Sequence, residues 1–277
     1  MSGIDIALWD IKGKIAGMPI YKLLGGYSDK PRAYASVGFY SPGKGVNGLV
    51  EEVSKCIEKG FSAIKVKIGG LPVRDDVERI RAVRECAGAE TDILVDANGS
   101  YNAMQAIRMA AALDKFDIFW FEEPVHPDDK TGYAKLSRHT NIPIAAGENL
   151  YTRYDFKELI LMDAIDVVQP DSIWVGGLTE AKRIADLASA WNIPCAPHNF
   201  SSAVCLASNL HLLLGISNAS LLEHDMYANP LRDRLLVQPL NVDKEGYIRA
   251  TDSPGLGIEM REDVDKLYLS DGLAPHI

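Results

Sequence analysis

The chain opens on an apolar pattern with a helical period. Within residues 2–16, apolar side chains recur every three or four positions, as on one stripe of a helix: Ile4, Leu8, Ile11 and Ile15. Gly17 and Pro19 follow directly, and both residue types tend to end a helix. The sequence therefore predicts an amphipathic helix over residues 2–16, with these four residues as its apolar stripe.

From about residue 32, short apolar runs alternate with amphipathic stretches. The runs, each a predicted strand, are residues 32–37, 63–68, 93–97, 118–122, 142–148, 167–171, 193–198 and 220–223. The stretches between them, each a predicted helix, include residues 49–57, 77–86, 103–113, 156–161, 181–191 and 203–214. This alternation is typical of parallel strands in either a closed barrel or a doubly wound open sheet.

The polar residues at the strand ends decide between these two architectures. Nearly every run closes on an ionisable side chain: Lys65 and Lys67, Asp96, Glu122, Glu148, Asp171, His198 and Glu223. A barrel gathers all its strand ends around one mouth, whereas an open sheet leaves the outer ends far apart. We therefore predict an α/β fold of the TIM-like barrel type, with a site at its mouth.

The pattern also suggests a division of the chain. After about residue 226 it becomes irregular, with prolines at positions 230, 239 and 254. We interpret residues 226–277 as an extension that packs on the outside without a core of its own. The predicted catalytic barrel is 32–225, preceded by a segment of residues 1–31.

Composition narrows the classes of function. The chain has 277 residues and a net charge of -9, which argues against nucleic acid or an anionic membrane as a partner. No apolar stretch is long enough to span a membrane, and a signal-peptide pattern is absent. The four cysteines include no C-x-x-C pair, so we expect core residues in a reducing compartment. A cytoplasmic location is the resulting expectation.

Three acidic residues end consecutive predicted strands: Asp96, Glu122 and Glu148. Carboxylates on neighbouring barrel strands converge, and they repel one another strongly where the dielectric is low. A divalent cation removes that repulsion, and oxygen ligands without Cys or His are typical of a hard cation such as Mg2+. Strand residues alternate between faces, so we assign Glu122 as the ligand and leave Glu123 as its support.

Candidate proton-transfer groups lie on both sides of this cluster. Lys65 and Lys67 are two positions apart on one predicted strand, so their side chains share a face. Two ammonium groups beside a cation depress each other's pKa, which makes a lysine a candidate base. Asp171 and His198 end neighbouring strands across the ring, where the carboxylate can orient the imidazole.

Two further residues are candidates for substrate contact. Glu223 ends the last predicted strand, and beside a bound carboxylate we expect it to be protonated and to donate a hydrogen bond. Asn98 shares a strand face with Asp96 and can bind a substrate oxygen, although an Asn before Gly99 is also typical of a turn.

Together these groups suit the removal of a proton beside a carboxylate. Such an α-proton is weakly acidic, so its removal requires a neutralised carboxylate and a base held against the carbon. One of the two bases can take the proton. The other can return it on the opposite face or protonate a departing hydroxyl.

Short motifs in chain order resemble the mandelate racemase subgroup of the enolase superfamily. They are Lys-x-Lys at 65–67, Asp-x-Asn at 96–98, Glu-Glu-Pro at 122–124, Gly-Glu-Asn at 147–149, Pro-Asp at 170–171 with Gly-Gly at 176–177, and Pro-His at 197–198. Residues 4–10 and 23–26 are similar to the segment just before the barrel of that family. The resemblance implies a (β/α)7β barrel and Mg2+ bound by Asp96, Glu122 and Glu148.

The resemblance also implies roles and a reaction. Lys67 is the implied base, with Lys65 assisting at the substrate carboxylate. His198, supported by Asp171, is the implied opposing base or acid, with Glu223 as the electrophilic partner. Members of the family with this set mostly dehydrate acid sugars to 2-keto-3-deoxy acids through an enediolate, and others racemise or epimerise. Association into homo-oligomers is also implied.

One departure concerns the α+β capping domain with which members of that family begin. Only its final helix is recognisable, in residues 1–31, so we expect the capping domain to be largely missing. We then expect metal binding to survive and turnover of acid sugars to be weak.

Four alternatives to dehydration stay open at this point. The first is a racemase or epimerase of a small carboxylate, and the second is a Schiff-base aldolase that uses Lys67. The third is a phosphate-binding protein, because residues 38–44 nearly match a nucleotide loop, although Gly45 stands where a Ser or Thr belongs. The fourth is a catalytically impaired barrel fragment.

Overall fold

The computed structural model of the chain describes residues 1–264. Its strands are β1 (Ala33–Val37), β2 (Ala63–Lys67), β3 (Asp92–Asp96), β4 (Ile118–Glu122), β5 (Ile144–Ala146), β6 (Val167–Val168) and β7 (Leu222–Asp225). Its helices are α1 (Ser2–Ala16), α2 (Ile20–Leu24), α3 (Val46–Glu58), α4 (Val73–Ala87), α5 (Ala103–Leu113), α6 (Lys130–Ser137), α7 (Thr152–Leu161), α8 (Leu178–Ser189), α9 (Ala203–Leu214) and α10 (Pro230–Asp233). No helix in this part of the chain is long and apolar enough to cross a membrane.

The strands form one curled parallel sheet in the order β6-β5-β4-β3-β2-β1-β7. Each hydrogen-bonded pair of neighbouring strands is parallel. Cys195 connects the two ends of the sheet, because it forms single parallel bridges with Val168 on one side and Ala219 on the other. The predicted parallel arrangement is therefore confirmed, and these bridges bring the sheet round towards closure.

The predicted strand over residues 193–198 is wrong, since only the bridge at Cys195 is present there. Pro194 and Pro197 flank the bridge, and proline has no N–H to donate to a strand ladder. The predicted strands over 142–148 and 167–171 are shortened for related reasons. Gly147 has a φ of 143°, and Pro170 follows β6 closely.

The interior of the curled sheet is filled by apolar side chains, one from each of eight chain segments. We call this set the apolar layer: Tyr34, Ala63, Leu94, Trp120, Ala145, Val167, Ala196 and Leu221. Tyr34 and Trp120 meet edge to face with their ring centroids 5.5 Å apart. The interior is therefore a packed core, as in closed barrels, and a second, larger core lies between the strands and the surrounding helices.

Helix α1 has the predicted bounds, but its apolar stripe faces solvent. Ile4, Leu8, Ile11 and Ile15 are 51–83% exposed, whereas Ile6 and Gly13 are buried. Gly13 sets this orientation, because a Cβ at that position would lie 2.6 Å from the backbone of Gly255. Periodicity identified the stripe correctly but could not reveal which face the rest of the chain covers.

The segment after β7 packs on the outside of the barrel strands and helices. Tyr247 bridges to Arg32, and Gly255 bridges to Pro19. Leu235 and Leu236 pack against Ala203 of α9, so this segment shares its apolar contacts with the rest of the fold. The division into 1–31, 32–225 and 226–277 stays a prediction, and residues 265–277 of it lie outside the described residues.

Candidate active site

Above the apolar layer, two residues further along each segment, lies a second inward-facing set. Strand residues two positions apart share a face, so alternation generates both sets along β1 to β4, whereas Gly147, Gln169 and His198 lie just beyond the sheet ladder of their segments. We call this second set the site layer: Ser36, Lys65, Asp96, Glu122, Gly147, Gln169, His198 and Glu223. Five of the predicted site residues belong to it. Lys67 is the last residue of β2, and Asn98, Glu148 and Asp171 lie two or three residues beyond the ends of β3, β5 and β6.

The three predicted metal ligands meet in space. One oxygen from each of Asp96, Glu122 and Glu148 lies within 4.8 Å of the other two. Asp96 and Glu122 are fully buried, and Glu148 is partly buried. Burial together with the charges of Asp96, Glu223 and Glu148 outweighs the effect of Lys65 and raises the pKa of Glu122 to about 8. A donor set made only of mutually repelling oxygens fits a hard divalent cation.

Both predicted lysines touch this cluster. Lys65 Nζ lies 2.5 Å from Glu122 Oε1, 2.8 Å from Glu223 Oε1 and 3.6 Å from Asp96 Oδ2. Lys67 Nζ pairs with Asp96 and donates to Asn98 Oδ1 at 2.8 Å. The strand alternation therefore placed both side chains correctly towards the interior.

The predicted depression of the lysine pKa assumes a bound cation and stays a prediction, whereas without the cation the pKa of Lys65 shifts the other way. Burial lowers the pKa of this ammonium, but the charges of Glu122, Glu223 and Asp96 outweigh burial and raise it well above its usual value. The prediction counted the second lysine and the cation but omitted the carboxylates that surround Lys65 on three sides.

Asp171 and His198 form the predicted pair on the opposite side. His198 Nδ1 lies 2.9 Å from Asp171 Oδ2, and His198 Nε2 lies 3.5 Å from Glu148 Oε2. Burial lowers the pKa of His198, but Glu148, Asp171 and Glu223 outweigh it and raise the pKa to about 10. Lys67 and His198 thus approach the carboxylate cluster at different members, Asp96 and Glu148.

Glu223 lies in the site layer as predicted, and its protonation beside a bound carboxylate stays a prediction. Burial raises its pKa, whereas Lys65, His198 and a hydrogen bond from the Asn199 N–H lower it to about 2. Glu223 is therefore a carboxylate here. The prediction considered a substrate carboxylate as its neighbour and omitted the ammonium of Lys65.

Asn98 has features of both roles considered from the sequence, that of a turn residue and that of a substrate contact. Its φ of 41° is left-handed, as in a turn. Its exposed side chain accepts from Lys67 and donates to Glu148 Oε1 at 3.2 Å, so it links a candidate base to a candidate ligand. Contact with a substrate oxygen stays a prediction.

Several supporting residues were missed by the sequence reasoning. Glu122 Oε2 accepts hydrogen bonds from Gln169 Nε2 at 2.7 Å and from Trp120 Nε1 at 3.1 Å. Strand alternation could have indicated both, because Trp120 is two positions before Glu122 and Gln169 is two before Asp171. Glu123, predicted as a support, is held by Asn149 Nδ2 at 2.9 Å and 3.0 Å.

The loop that nearly matches a nucleotide-binding motif is already occupied by its own side chains. Lys44 Nζ lies 2.6 Å from Glu52 and donates to the carbonyl of Phe39 at 2.8 Å. Since a phosphate loop relies on its lysine to reach the phosphates, this arrangement does not support the phosphate-binding alternative.

Comparison with known proteins bears on this geometry. Residues 48–264 match the family described as "Enolase C-terminal domain-like", and residues 1–25 match "Mandelate racemase / muconate lactonizing enzyme, N-terminal domain". The chain belongs to the mandelate racemase/muconate lactonizing enzyme family of the enolase superfamily. The resemblance stated from the sequence motifs is thereby confirmed.

Relatives within this family carry names of related activities. The chain is 39% identical to an arabinonate dehydratase of Saccharolobus solfataricus, covering 97% of this chain and 71% of the relative. It is 36% identical to a D-galactarolactone cycloisomerase of Agrobacterium fabrum, covering 95% and 72%. A solved structure of a racemase from Streptomyces coelicolor with bound magnesium is 34% identical, with a TM-score of 0.85 over 94% of this chain and 69% of that one.

Proposed function

We propose that this family member dehydrates an acid sugar to a 2-keto-3-deoxy acid, with Mg2+ held by Asp96, Glu122 and Glu148. One observation carries the proposal. The three carboxylates come within 4.8 Å of one another, and candidate proton-transfer groups approach them at two different members. The names of the dehydratase relatives, which include arabinonate and D-galactonate dehydratases, support an acid sugar as the substrate class.

The bound cation would neutralise the substrate carboxylate and so make the α-proton more acidic. Lys67 is the proposed base for that proton, and Lys65 is proposed to neutralise charge at the substrate carboxylate. His198, whose Nδ1 faces Asp171, is the proposed acid that protonates the departing hydroxyl through Nε2.

Two residues have proposed binding roles in this reaction. Glu223 holds Lys65 beside the cluster at 2.8 Å and offers an oxygen to a substrate hydroxyl. Asn98 lies between Lys67 and Glu148, where its amide is placed to contact a substrate oxygen. A cytoplasmic location and homo-oligomer formation stay predictions from the sequence.

The test is a screen of the whole chain with Mg2+ against a library of acid sugars. Formation of a 2-keto acid is followed by its reaction with semicarbazide. We expect product from at least one acid sugar, and loss of product with EDTA, with Lys67→Met and with His198→Asn. Product that persists in EDTA, or no product from any acid sugar at saturating Mg2+, would contradict the proposal.

A second candidate function is racemisation or epimerisation of a carboxylate. The approach of Lys67 and His198 to different carboxylates favours it, because a proton removed by one group can be returned by the other. Incubation in D2O separates the two functions. Racemisation yields deuterated substrate of both configurations, whereas dehydration yields a 2-keto acid. Borohydride trapping of substrate on Lys67 would instead support the aldolase alternative.

A further inference from the structure

Asp171 and His198, on the imidazole side of the site, lie outside the regular strands of the sheet. Lys65, Asp96 and Glu122 lie inside strands and have Cα partners on the neighbouring strands. Asp171 and His198 each lie two residues beyond the last backbone hydrogen bond of their segment to the sheet, which the N–H groups of Gln169 and Ala196 donate. Sheet hydrogen bonds therefore do not set the relative position of these two side chains, and other contacts must do so.

Those contacts come from one face of helix α9. Cys205 and Asn209 are four residues apart, so they share that face, and both are fully buried. Cys205 Sγ lies 3.6 Å from Asp171 Oδ1. The Asn209 side chain reaches both segments, because its Nδ2 donates to the carbonyl of His198 at 2.9 Å and its Oδ1 accepts from the Ser172 N–H at 3.4 Å.

A second buried amide extends this connection to the last strand. Asn209 Nδ2 lies 3.4 Å from Asn199 Oδ1. The Asn199 N–H donates to Glu223 Oε2 at 3.0 Å, and its Nδ2 donates to the Glu223 carbonyl at 3.2 Å. The Asn199–Asn209 pair thus ties together the backbone at Ser172, next to Asp171, with that at His198 and Glu223, which come from three different segments.

We propose that Asn209, acting in part through Asn199, is a positioning residue that sets the alignment of His198 with Asp171 and Glu223. The inference rests on the proposed function, since alignment matters only if His198 transfers a proton. Removal of the amide leaves the His198 carbonyl and the Ser172 N–H without a buried partner. The His198 backbone can then shift, and displacement of a catalytic group by about 1 Å is enough to cost about 100-fold in rate.

Lys67 provides an internal reference because it does not depend on this contact. It lies at the end of β2, where its Cα partner on β3 is Asp96, and the partners of its ammonium group in the described residues are Asp96, Asn98 and the ring of Phe39, none of them in α9. We call the two sides of the substrate α-carbon the His198 face and the Lys67 face, after the group that each one meets. Loss of Asn209 should therefore slow proton transfer on the His198 face and leave proton transfer on the Lys67 face unchanged. If Asn209 had only a structural role, its loss would lower the rate of proton transfer on both faces together.

The experiment measures exchange of the α-proton in D2O by NMR, with the Mg2+-loaded full chain and acid sugars epimeric at the α-carbon. Lys67→Met and His198→Asn assign each epimer to its base. In Asn209→Ala we expect exchange on the His198 face to fall by about 10- to 100-fold and exchange on the Lys67 face to change by less than about threefold. Equal losses on both faces, or no loss on either, would overturn the inference.

Asn218→Ala is the matched control. Asn218 Nδ2 also donates to two backbone carbonyls, that of Ala185 in α8 at 3.0 Å and that of Ile193, five residues before His198, at 2.8 Å. This variant should change stability without changing the ratio of exchange on the two faces. Asn209→Leu, which fills the buried volume, replaces Asn209→Ala if the smaller side chain prevents folding.

A second readout does not depend on turnover. The imidazole Nδ1–H of His198, identified by its loss in His198→Asn, should give a downfield proton resonance in wild-type protein because Asp171 accepts its hydrogen bond. We expect this resonance to broaden or vanish in Asn209→Ala and to persist in Asn218→Ala. Its persistence in both would overturn the inference. If wild-type protein neither exchanges an epimer nor forms a 2-keto acid, the proposed function fails, while this resonance still decides the role of Asn209.

Discussion

The apolar layer and the site layer occupy the same eight segments, and only two residues separate them on each segment. The lower set has no charged side chain, and all its members are buried against one another. The upper set contains Lys65, Asp96, Glu122 and Glu223 in one ion-pair network. Along β1 to β4 both sets follow from one alternation of the strand residues. The comparison teaches that a shift of two residues along a segment separates side chains that stabilise the fold from charged side chains suited to catalysis.

The two layers differ in what their burial contributes. Burial of apolar side chains stabilises the fold in proportion to the area removed from water. Burial of charge costs free energy unless the charges are paired, and a buried ion pair is often no more stabilising than apolar residues of similar volume. Substitutions in the site layer should therefore damage function more than folding, and those in the apolar layer should do the reverse.

The largest expected effect is on activity and comes from Lys67→Met. This change removes the proposed base while keeping a side chain of similar length. We expect the rate of α-proton removal to fall by about 10²- to 10⁴-fold, with a thermal midpoint close to that of the wild type. The measurement is 2-keto acid formation beside a melting curve. Activity within threefold of wild type would show that Lys67 is not the base.

A comparable effect on stability is expected from Trp120→Ala in the apolar layer. Trp120 is fully buried and contacts Tyr34, so its truncation should cost about 3–5 kcal/mol of unfolding free energy. Denaturant unfolding measures this loss. Trp120→Phe is the control, because it retains most of the buried ring but lacks the N–H that donates to Glu122. A loss as large in Trp120→Phe would show that the hydrogen bond, and not the packing, stabilises the layer.

Metal binding should stabilise the site layer by a smaller amount. At a Mg2+ concentration of a hundred times the dissociation constant, the wild-type unfolding free energy should rise by about 2.7 kcal/mol. Glu122→Gln removes one ligand charge from the cluster and should show little of this increase. Equal Mg2+-dependent stabilisation of the two proteins would place the metal somewhere other than this cluster.

The pH dependence of stability without metal should show the cost of the buried carboxylates. The pKa of Glu122 is raised from 4.5 to about 8, so between these values the folded state binds a proton that the unfolded state releases. Stability contributed by Glu122 is thus present below pH 4.5 and is lost as the pH rises towards 8. Glu122→Gln should remove this part of the slope, by an amount on the order of 1 kcal/mol or more.

Unfolding in EDTA across this pH range measures that slope. A wild-type slope that Glu122→Gln leaves unchanged would show that Glu122 is ionised in the folded protein at neutral pH. Asn218→Ala serves as the reference variant, since it introduces no change of charge and its amide donates to Ala185 and Ile193 rather than to Glu122.

Features of the fold and the site that follow from local sequence pattern could be predicted, whereas those that depend on tertiary contacts could not. Strand alternation was sufficient to bring Asp96, Glu122 and the two lysines to one place, because regular strands fix where each side chain points. It failed over residues 193–198, where two prolines limit the ladder to one bridge. His198 nevertheless lies beside Asp171, and the α9 contacts that hold this pair left no periodic signal in the sequence.

Charge states were the least predictable feature. The protonation of Glu223 depends on Lys65, and the pKa of Lys65 depends in turn on three carboxylates. Such mutual dependence requires distances that a sequence does not supply. The exposed stripe of α1 has the same origin, since the pattern shows that a helix has an apolar face but not what lies against it.

The most direct test of the account is a crystal of the full chain soaked in Mn2+, with a map of its anomalous scattering. Mn2+ prefers the same oxygen ligands as Mg2+ and can be located without ambiguity. The account predicts a single strong peak in the barrel mouth, bonded to one oxygen from each of Asp96, Glu122 and Glu148. A peak that touches fewer than two of these carboxylates, or a mouth without any peak at saturating Mn2+, would contradict it.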